Sequence, residues 1–180
     1  RDGKRPDAGV PLHSAGRSCD MAGAGALAAR YGFTVIADAC HALGGTSRDR
    51  PVGSCAHSHM AVFSFHPVKI VTTGEGGMVT TNSAELAAHL RRLRTHGITP
   101  GAAFAGDEAD GPWSYAQEDL GFNYRLTDIQ AALGSSQMAR IDAFVARRNA
   151  LADRYDAALA DLPLRLPDRG GNLLSALHLY

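Results

Sequence analysis

The segment from residue 60 to 81 constrains the fold more than any other part of the sequence, because it sets one lysine between two apolar runs. The run M-A-V-F-S-F predicts a buried strand over 60–65, and G-M-V-T-T predicts a second strand over 77–81. Pro67 opens the loop between them, and Lys69 lies in that loop among apolar neighbours. The side chain of Lys69 either extends its charge to solvent or is desolvated and serves as a neutral nucleophile.

A second candidate group lies upstream, in the run T-V-I-A-D-A-C-H. Its apolar part predicts a strand over 33–38, with Asp38 at the carboxyl end and His41 just beyond it. Open α/β sheets bind ligands at the carboxyl ends of their strands, although a turn or helix-cap role also fits Asp38. A lysine and an acid on neighbouring strand ends meet the needs of pyridoxal phosphate. The lysine binds the aldehyde covalently, and the acid keeps the pyridine nitrogen protonated.

The composition is that of a globular protein with a sizeable core, since 45% of the 180 residues are apolar and 20% are charged. The formal net charge is zero, which gives no electrostatic reason to expect nucleic acid or a membrane surface as a partner. No apolar run reaches the length of a membrane-spanning helix, which needs about 18 residues. Three cysteines, an odd number, favour a reducing cytoplasmic compartment over a disulfide framework.

The first half of the sequence predicts a strand–helix–strand unit. A short strand is predicted over 10–13, and Ser18 is predicted to cap an Ala-rich helix that runs to Arg30. Gly32 follows as the residue that ends this helix. Because the helix connects two strands, we expect the strands to be parallel and the crossover to be right-handed. Beyond the second strand, the segment 44–53 predicts a turn or a small hairpin.

The second half predicts two helices separated by a loop. Asn82 and Glu85 form a capping box that starts a helix over 82–94. The segment 99–111 contains three glycines and a proline and lacks periodicity, which predicts a flexible loop. A second capping box, T-D-I-Q, starts one long helix that ends at Pro163.

Taken together, several segments resemble the DegT/DnrJ/EryC1/StrS family of pyridoxal-phosphate-dependent sugar aminotransferases. They are V-I-A-D-A-C-H-A-L-G-G, F-S-F-H-P-V-K-I-V-T-T-G-E-G-G-M-V-T-T-N, L-R-T-H-G-I and G-F-N-Y-R-L-T-D-I-Q-A-A-L-G. The resemblance implies the aspartate-aminotransferase fold (fold type I), an α/β architecture with a mainly parallel sheet. Residues 1–125 would form the carboxyl-terminal half of the cofactor-binding large domain. Residues 126–180 would form the interdomain helix and the beginning of the small domain. Family members are much longer, so we expect the chain to be a fragment.

The resemblance also implies a role for each of five residues. Lys69 would be the catalytic residue that binds the cofactor, and Asp38 would pair with its pyridine nitrogen. His41 would lie against the ring and its phenolic oxygen, and Ser64 would donate to the phosphate. Asn123 would reach the phosphate of the neighbouring subunit, in a homodimer with shared active sites. Without the resemblance, Ser64 is a minor polar group of the core, His41 a histidine at a strand end and Asn123 a turn residue.

Three further segments are similar to the family members of pseudaminic acid synthesis that make UDP-4-amino-4,6-dideoxy-N-acetyl-β-L-altrosamine. These are H-S-A-G-R-S-C-D-M, G-S-C-A-H-S-H-M and P-W-S-Y-A-Q-E-D-L-G-F-N-Y-R. The similarity implies transfer of an amino group, from L-glutamate by family analogy, to the 4-keto group of a UDP-linked 4-keto-6-deoxy sugar. Two alternatives stay open. Sugar dehydratases of the family carry histidine at the lysine position, so Lys69 favours transamination, and a truncated, non-catalytic remnant is the other alternative.

A metal site is a weaker alternative. Cys55, His57 and His59 form a C-x-H-x-H array, but no second matched pair completes a recognised zinc pattern. We therefore predict no metal. His59 and Ala37 depart from the family, in which an acid is commoner at the first position and a glutamate is usual at the second. We expect these two departures to alter local packing and leave the cofactor chemistry unchanged.

Overall fold

The computed structural model describes residues 5–48, 50–100, 111, 113–169, 171 and 173–180. The chain divides into two compact units. The first unit comprises Arg1–Asn82 and Asp128–Tyr180, and the second comprises Ser83–Thr127. Lys69, Asp38 and Ser64 therefore belong to the first unit, and Asn123 belongs to the second.

The described residues form short strands and longer helices. The strands are β1 (Ala8–Gly9), β2 (Thr34–Asp38), β3 (Thr46–Ser47), β4 (Arg50–Pro51), β5 (Met60–Ser64), β6 (Gly77–Thr80), β7 (Ile98–Pro100), β8 (Tyr115–Gln117) and β9 (Leu173–Leu174). The helices are α1 (Met21–Tyr31), α2 (Ala84–Leu93), α3 (Asp128–Met138) and α4 (Ile141–Leu159). Among the described residues, none of these helices is both long and apolar enough to span a membrane.

The main sheet of the first unit has the strand order β1-β2-β5-β6. β1, β2 and β5 run parallel, and β6 returns antiparallel to β5. Asp38 pairs with Val62 across β2 and β5, so the carboxyl ends of these two strands meet at one edge of the sheet. One face of both strands is buried, with Ala37, Ala61 and Phe63 in a single apolar cluster. The prediction of an α/β fold with a mainly parallel sheet is confirmed.

Helix α1 starts later than the sequence predicted. Its N-cap is Asp20, whose carboxylate accepts a hydrogen bond from the backbone N–H of Gly23 at 3.1 Å. The predicted cap, Ser18, is wrong, because its hydroxyl donates to the carbonyl of Cys19. The predicted end is confirmed, since Gly32 adopts φ 73° at the C-cap and its N–H donates to Ala28.

The strand predicted over 10–13 is displaced. β1 lies at Ala8–Gly9, and Leu12 forms only an isolated parallel bridge with Asp38. The proline at position 11 has no N–H, but its carbonyl accepts a hydrogen bond from the N–H of Asp38 at 2.9 Å. The small hairpin predicted over 44–53 is present as the antiparallel pair β3 and β4.

In the second unit, α2 is capped by Ser83, whose hydroxyl oxygen accepts a hydrogen bond from the N–H of Leu86 at 3.2 Å. The predicted cap Asn82 is wrong, because its side-chain amide donates to the carbonyl of Ser54. The predicted loop over 99–111 begins within strand β7, which pairs with β8. The rest of that prediction concerns residues 101–110, which lie outside the described residues.

The single long helix predicted after the T-D-I-Q box is two helices, α3 and α4. The break falls at Arg140, which has φ −116° and ψ 7°. Its N–H donates to the carbonyl of Gln137, three residues back, and this tighter bond closes α3. The G-S-S run of α3 has low helix propensity, which the spacing of the apolar residues does not show. α4 ends at Leu159, before Pro163.

The last described segment also belongs to the first unit and packs against α4. Strand β9 pairs antiparallel with β3. The side-chain amide of Asn149 donates to the carbonyl of Ser175 at 3.0 Å, and Arg148 donates to the carbonyl of Leu177 at 2.9 Å. These bonds fix the backbone on the amino-terminal side of His178.

Candidate active site

Lys69 lies in a closed loop between β5 and β6. The N–H of Phe65 donates to the carbonyl of Gly76 at 2.8 Å, and the carbonyl of Phe65 accepts from the N–H of Thr73 at 3.0 Å. Within the loop, the N–H of Lys69 donates to the carbonyl of His66 at 2.9 Å. The side chain of Lys69 is half-buried, and the residues that follow it are buried. The lysine is therefore held on an ordered turn whose two ends are tied together.

Asp38 ends strand β2, and its backbone is fixed on both sides. Its N–H donates to Pro11, and its carbonyl accepts from the N–H of His13 at 3.0 Å. One carboxylate oxygen accepts a hydrogen bond from the N–H of Cys40 at 3.1 Å. The carboxylate is half-buried at the sheet edge, where an acid can pair with a positively charged ring nitrogen.

The charges of Asp38 and Lys69 both act on the thiol of Cys40. Burial is the largest cause that raises the pKa of the Cys40 thiol to about 11, followed by the hydrogen bond and charge of Asp38. The ammonium of Lys69 acts on the same thiol in the opposite direction. Both charges therefore act on one small region, in which the thiol remains protonated at neutral pH and is a poor nucleophile.

His41, just past β2, stacks against a residue that the sequence reasoning missed. The ring centroids of His41 and His178 are 4.4 Å apart, and the planes are tilted by 32°. Burial lowers the pKa of His178 from its ordinary value, and the nearby charges of His41, Lys69 and Arg148 lower it further. His178 therefore lies in the same region as the lysine. No spacing pattern in the sequence marked it, because long-range packing brings it there.

Gly16 makes this close packing possible. It has φ 101°, and a Cβ atom there would lie 2.6 Å from the nitrogen of Leu177 and 2.8 Å from that of His178. The same Cβ would lie 3.0 Å from the carbonyl oxygen of His41. Both the backbone conformation and the available space therefore require glycine at this position.

Ser64 and Asn123, the other two predicted site residues, lie in different units. Ser64 ends β5 at the same sheet edge as Asp38, and its oxygen accepts a hydrogen bond from the N–H of His66 at 3.3 Å. Its hydroxyl hydrogen remains available to donate. In the second unit, Asn123 is exposed and forms an antiparallel bridge with Thr95. The structure thus brings together four of the five predicted residues and describes Asn123 separately.

The residues of the alternative metal array have protein partners. The Nδ1 atom of His59 accepts a hydrogen bond from the N–H of Val35 at 3.0 Å, and the thiol of Cys55 donates to the carbonyl of Thr80 at 3.3 Å. Among the described residues, no group of three or more His, Cys, Asp or Glu side chains is arranged to hold a metal ion. At the other departure from the family, Ala37 is buried in the apolar cluster of the sheet.

The groups at the sheet edge fit pyridoxal phosphate. Lys69 offers an amine for its aldehyde, Asp38 a carboxylate for its ring nitrogen, and Ser64 a hydroxyl for its phosphate. His41 and His178 each keep a buried Nδ1 atom that has no hydrogen-bond partner within the described part of the chain. Buried polar atoms usually have partners, so two such atoms in one stacked pair beside the turn that follows Asp38 are consistent with a polar ligand at this position.

Comparison with known proteins agrees with this fit. Residues 4–180 match the family model of the DegT/DnrJ/EryC1/StrS aminotransferases. The spore coat polysaccharide biosynthesis protein SpsC of Bacillus subtilis (strain 168) is 40% identical over 177 residues, which cover 98% of this chain and 45% of SpsC. PseC of Helicobacter pylori, an aminotransferase of pseudaminic acid biosynthesis, matches with a TM-score of 0.80 at 30% identity, over 95% of this chain and 43% of PseC. An aminotransferase from Psychrobacter cryohalolentis matches with a TM-score of 0.85 at 35% identity, over 96% of this chain and 45% of that protein.

The sheet and its structural neighbours define a class, the pyridoxal-phosphate-dependent transferases of fold type I. Solved neighbours include forms with pyridoxal phosphate and with pyridoxamine phosphate. Because the family model matches nearly the whole sequence, this chain belongs to the DegT/DnrJ/EryC1/StrS aminotransferase family. The chain spans less than half the length of SpsC, 45% of it.

Proposed function

We propose that the protein containing this chain is an aminotransferase that moves an amino group from L-glutamate to the 4-keto group of a UDP-linked 4-keto-6-deoxy sugar. The observation that carries the proposal is the position of Asp38 and of the closed Lys69 loop at the carboxyl edge of a parallel sheet, where the charges of both act on the Cys40 thiol. Pyridoxal phosphate supplies an electron-accepting ring and an aldehyde carbon that carries the amino group.

Each residue has a defined task in this proposal. The amine of Lys69 would hold the cofactor and would carry a proton to and from the carbon that loses or gains the amino group. The carboxylate of Asp38 holds the proton on the ring nitrogen. Ser64 donates to the phosphate, and His41 lies against the ring. Asn123 serves the phosphate site of the partner subunit, so the active unit is a homodimer.

The choice of reaction and substrate rests on separate observations. The presence of Lys69 favours transamination over dehydration, because the reaction needs a group that binds the cofactor and transfers protons. Both SpsC, by its role in spore coat polysaccharide synthesis, and PseC, by its role in pseudaminic acid synthesis, support a sugar substrate. The three segments similar to pseudaminic acid transaminases support the UDP-linked deoxysugar. Residues 1–125 then belong to the cofactor-binding domain and 126–180 begin the small domain.

A cytoplasmic location is part of the same proposal. All three cysteines are free and partly buried. Free thiols persist in reducing compartments, whereas secreted proteins of this size usually pair them. This observation supports the cytoplasm, where a nucleotide-linked sugar and glutamate would both be available to the enzyme.

Covalent capture of the cofactor tests the nucleophile. Mass spectrometry of a tryptic digest locates the modified lysine in the sequence and distinguishes Lys69 from Lys4, the other lysine of this chain. In the complete protein, borohydride is expected to fix pyridoxal phosphate to Lys69, and Lys69→Ala and Lys69→Arg are expected to lose both the adduct and turnover. Arginine fails because its guanidinium stays protonated. Lys4→Ala is the matched control and is expected to keep both.

Three results would contradict the proposal. A Lys69→Ala protein that keeps a fixed cofactor and normal turnover would remove Lys69 from the chemistry. A complete wild-type protein that stays colourless with pyridoxal phosphate would support the non-catalytic alternative. For the substrate, formation of more than one equivalent of 2-oxoglutarate per cofactor from L-glutamate is expected only when a UDP-linked 4-keto-6-deoxy sugar is present. Equal activity with an unlinked keto sugar would exclude the nucleotide from recognition.

A further inference from the structure

One face of α3 is turned toward the Lys69 loop. Gln130, Gly134 and Gln137 lie at spacings of four and three residues, which places them on the same side of a helix. The side-chain amide of Gln130 donates to the carbonyl of Glu75 at 2.9 Å. Gly134 is buried, and a Cβ atom there would lie 2.9 Å from the side-chain methyl of Thr73. The helix therefore approaches the loop as closely as its backbone allows.

Gln137 binds this loop through both ends of its amide. Its Oε1 atom accepts a hydrogen bond from the N–H of Thr72 at 3.2 Å, and its Nε2 atom donates to the carbonyl of Thr72 at 2.6 Å. The hydroxyl of Thr72 in turn donates to the carbonyl of Phe65 at 3.0 Å and accepts from the N–H of Gly74 at 3.0 Å. Thr72 is thus the residue at which the loop is tied both to itself and to α3.

We propose that Gln137 is a positioning residue for Lys69. This inference rests on the proposed function, because it concerns where the lysine amine stands relative to the cofactor. Lys69 and Thr72 lie in the same closed loop, three residues apart. We call the two hydrogen bonds from the Gln137 amide to the N–H and the carbonyl of Thr72 the Gln137 clamp. The clamp fixes the loop along two directions, which a single hydrogen bond does not do. Loss of the clamp leaves a partly buried N–H and carbonyl without their partner.

Position matters for this lysine because its amine has to reach one carbon of the cofactor and later a proton on the donor. Displacements of about 1 Å in such a site cost up to about a hundredfold in rate. Gln137→Met keeps the length of the side chain and removes both hydrogen bonds. Gln137→Glu keeps an acceptor for the Thr72 N–H but sets a carboxylate against the Thr72 carbonyl. We therefore expect methionine and glutamate both to release the loop.

The first measurement uses the complete protein without cofactor. Acetylation by a dilute active ester is followed by mass spectrometry, with Lys4 as the reference within the same molecule. Gln137→Met and Gln137→Glu are expected to change the rate at Lys69 relative to Lys4 at least about threefold, because the local opening of the loop becomes easier. Gln117→Met is the matched control, since it removes a side-chain bond to the carbonyl of His96 in the second unit. It is expected to leave the Lys69 rate unchanged.

The second measurement uses the loaded protein. The pH midpoint of its visible absorption is expected to move in both Gln137 variants, and kcat is expected to fall about tenfold or more while KM for the sugar changes little. Unchanged Lys69 acetylation together with an unchanged absorption midpoint would overturn the inference and leave the proposed function intact. Failure of the proposed function would give a different result, because the Lys69→Ala protein would then still bind the cofactor covalently.

Hydrogen exchange in the wild-type protein tests the inference even if the Gln137 variants fail to fold. The N–H of Thr72 donates to Gln137, and the N–H of Gly74 donates to the Thr72 hydroxyl. Within the described residues, the N–H of Ile70 in the same loop makes no such hydrogen bond. In the protein without cofactor, hydrogen exchange is expected to be slower at Thr72 and Gly74 than at Ile70. Equal exchange at all three positions would show that the clamp does not hold the loop, and would overturn the inference.

Discussion

His178 stacks on His41 with the ring centroids 4.4 Å apart, so the last described segment of the chain touches the turn that follows Asp38. The segment is held there by Arg148, which donates to the carbonyl of Leu177. The orientation of the His41 ring thus depends on a residue far from it in sequence. This arrangement predicts that the site responds to changes at His178 as well as to changes at the five residues assigned from the sequence.

The first prediction concerns the pH dependence caused by His178. Burial, and after it the charges of His41, Lys69 and Arg148, lower its pKa, so His178 takes up a proton at a lower pH than an ordinary histidine does. Protonation would add a positive charge near Lys69 and His41. We therefore expect kcat/KM to fall as the pH drops from 7 to 5, and His178→Phe to reduce this fall while keeping the ring contact. His178→Ala is expected to lower activity at every pH.

The matched control is His57→Phe, at an exposed histidine. It is expected to leave the acid limb of the profile as in the wild type. A His178→Phe enzyme whose activity still falls as steeply toward pH 5 would assign that fall to another group, and the stack would then be a structural contact only.

The second prediction concerns stability in acid. His13 is 2% exposed, and its Nδ1 atom accepts a hydrogen bond from the N–H of Cys19 at 3.1 Å, which only the unprotonated nitrogen can do. Burial lowers the pKa of His13, although Asp38 acts in the opposite direction. The unfolded chain therefore binds a proton at higher pH than the folded chain. The free energy of unfolding is expected to decrease as the pH falls through about 6.5, the ordinary value.

Urea unfolding at pH 7.5 and pH 5.5 measures this effect. His13→Asn keeps an acceptor and cannot titrate, so its stability is expected to change less between the two pH values than that of the wild type. The exposed His57→Asn is the control and should keep the wild-type dependence. If the His13 variant loses as much stability in acid as the wild type, another titrating group causes the loss.

The third prediction concerns the partner subunit. Asn123 is exposed on the second unit, next to Phe122 and Tyr124, whose rings stack with centroids 4.9 Å apart. If it serves the phosphate of the neighbouring subunit, mixing Lys69→Ala subunits with Asn123→Ala subunits is expected to restore activity. In a heterodimer, one site then carries both defects and the other carries neither. Up to about half of the wild-type activity per heterodimer is expected, since one of two sites is intact.

Subunit exchange has to be verified by native mass spectrometry before activity is read. Mixing two Lys69→Ala preparations with different tags is the control, and it restores nothing. Failure of the verified heterodimer to regain activity would assign Asn123 to the site of its own subunit or to no site.

The sheet edge was predictable from the sequence because its signals are local. The apolar runs before Asp38 and Ser64 are typical of buried parallel strands, and parallel strands place their carboxyl ends on the same edge. The structure has these two strands adjacent and parallel. A loop that starts with proline and ends with glycines also indicated where Lys69 would stand. Each of these features depends on a few neighbouring residues.

The features that the sequence did not predict depend on competition between neighbouring capping side chains or on long-range packing. Caps Asp20 and Ser83 each stand within two residues of another polar candidate, and local sequence does not decide which side chain reaches the free N–H groups. The break at Arg140 depends on tertiary context as well as on propensity. His178 reaches the site only because Gly16 leaves room for the segment that carries it.

The last prediction concerns Asp38. Asp38→Asn preserves the shape of the side chain and an acceptor for the Cys40 N–H, but it removes the charge that would hold a proton on the cofactor nitrogen. An uncharged ring accepts electrons less well, so turnover is expected to fall about a hundredfold or more, with a large isotope effect from α-deuterated glutamate. Cofactor binding is expected to suffer less, because Lys69 and the phosphate contacts remain.

Cys40 provides a readout of the same substitution that needs no turnover. Asp38 helps raise the pKa of the Cys40 thiol to about 11, so neutralising Asp38 is expected to lower that pKa and to speed alkylation of Cys40 at pH 8.5. Burial, the larger cause, remains, and the pKa should stay above its ordinary value. Cys55 is the reference thiol and should react as in the wild type. Normal turnover together with faster Cys40 alkylation would make Asp38 a structural acid, and the partner of the ring nitrogen would then lie elsewhere.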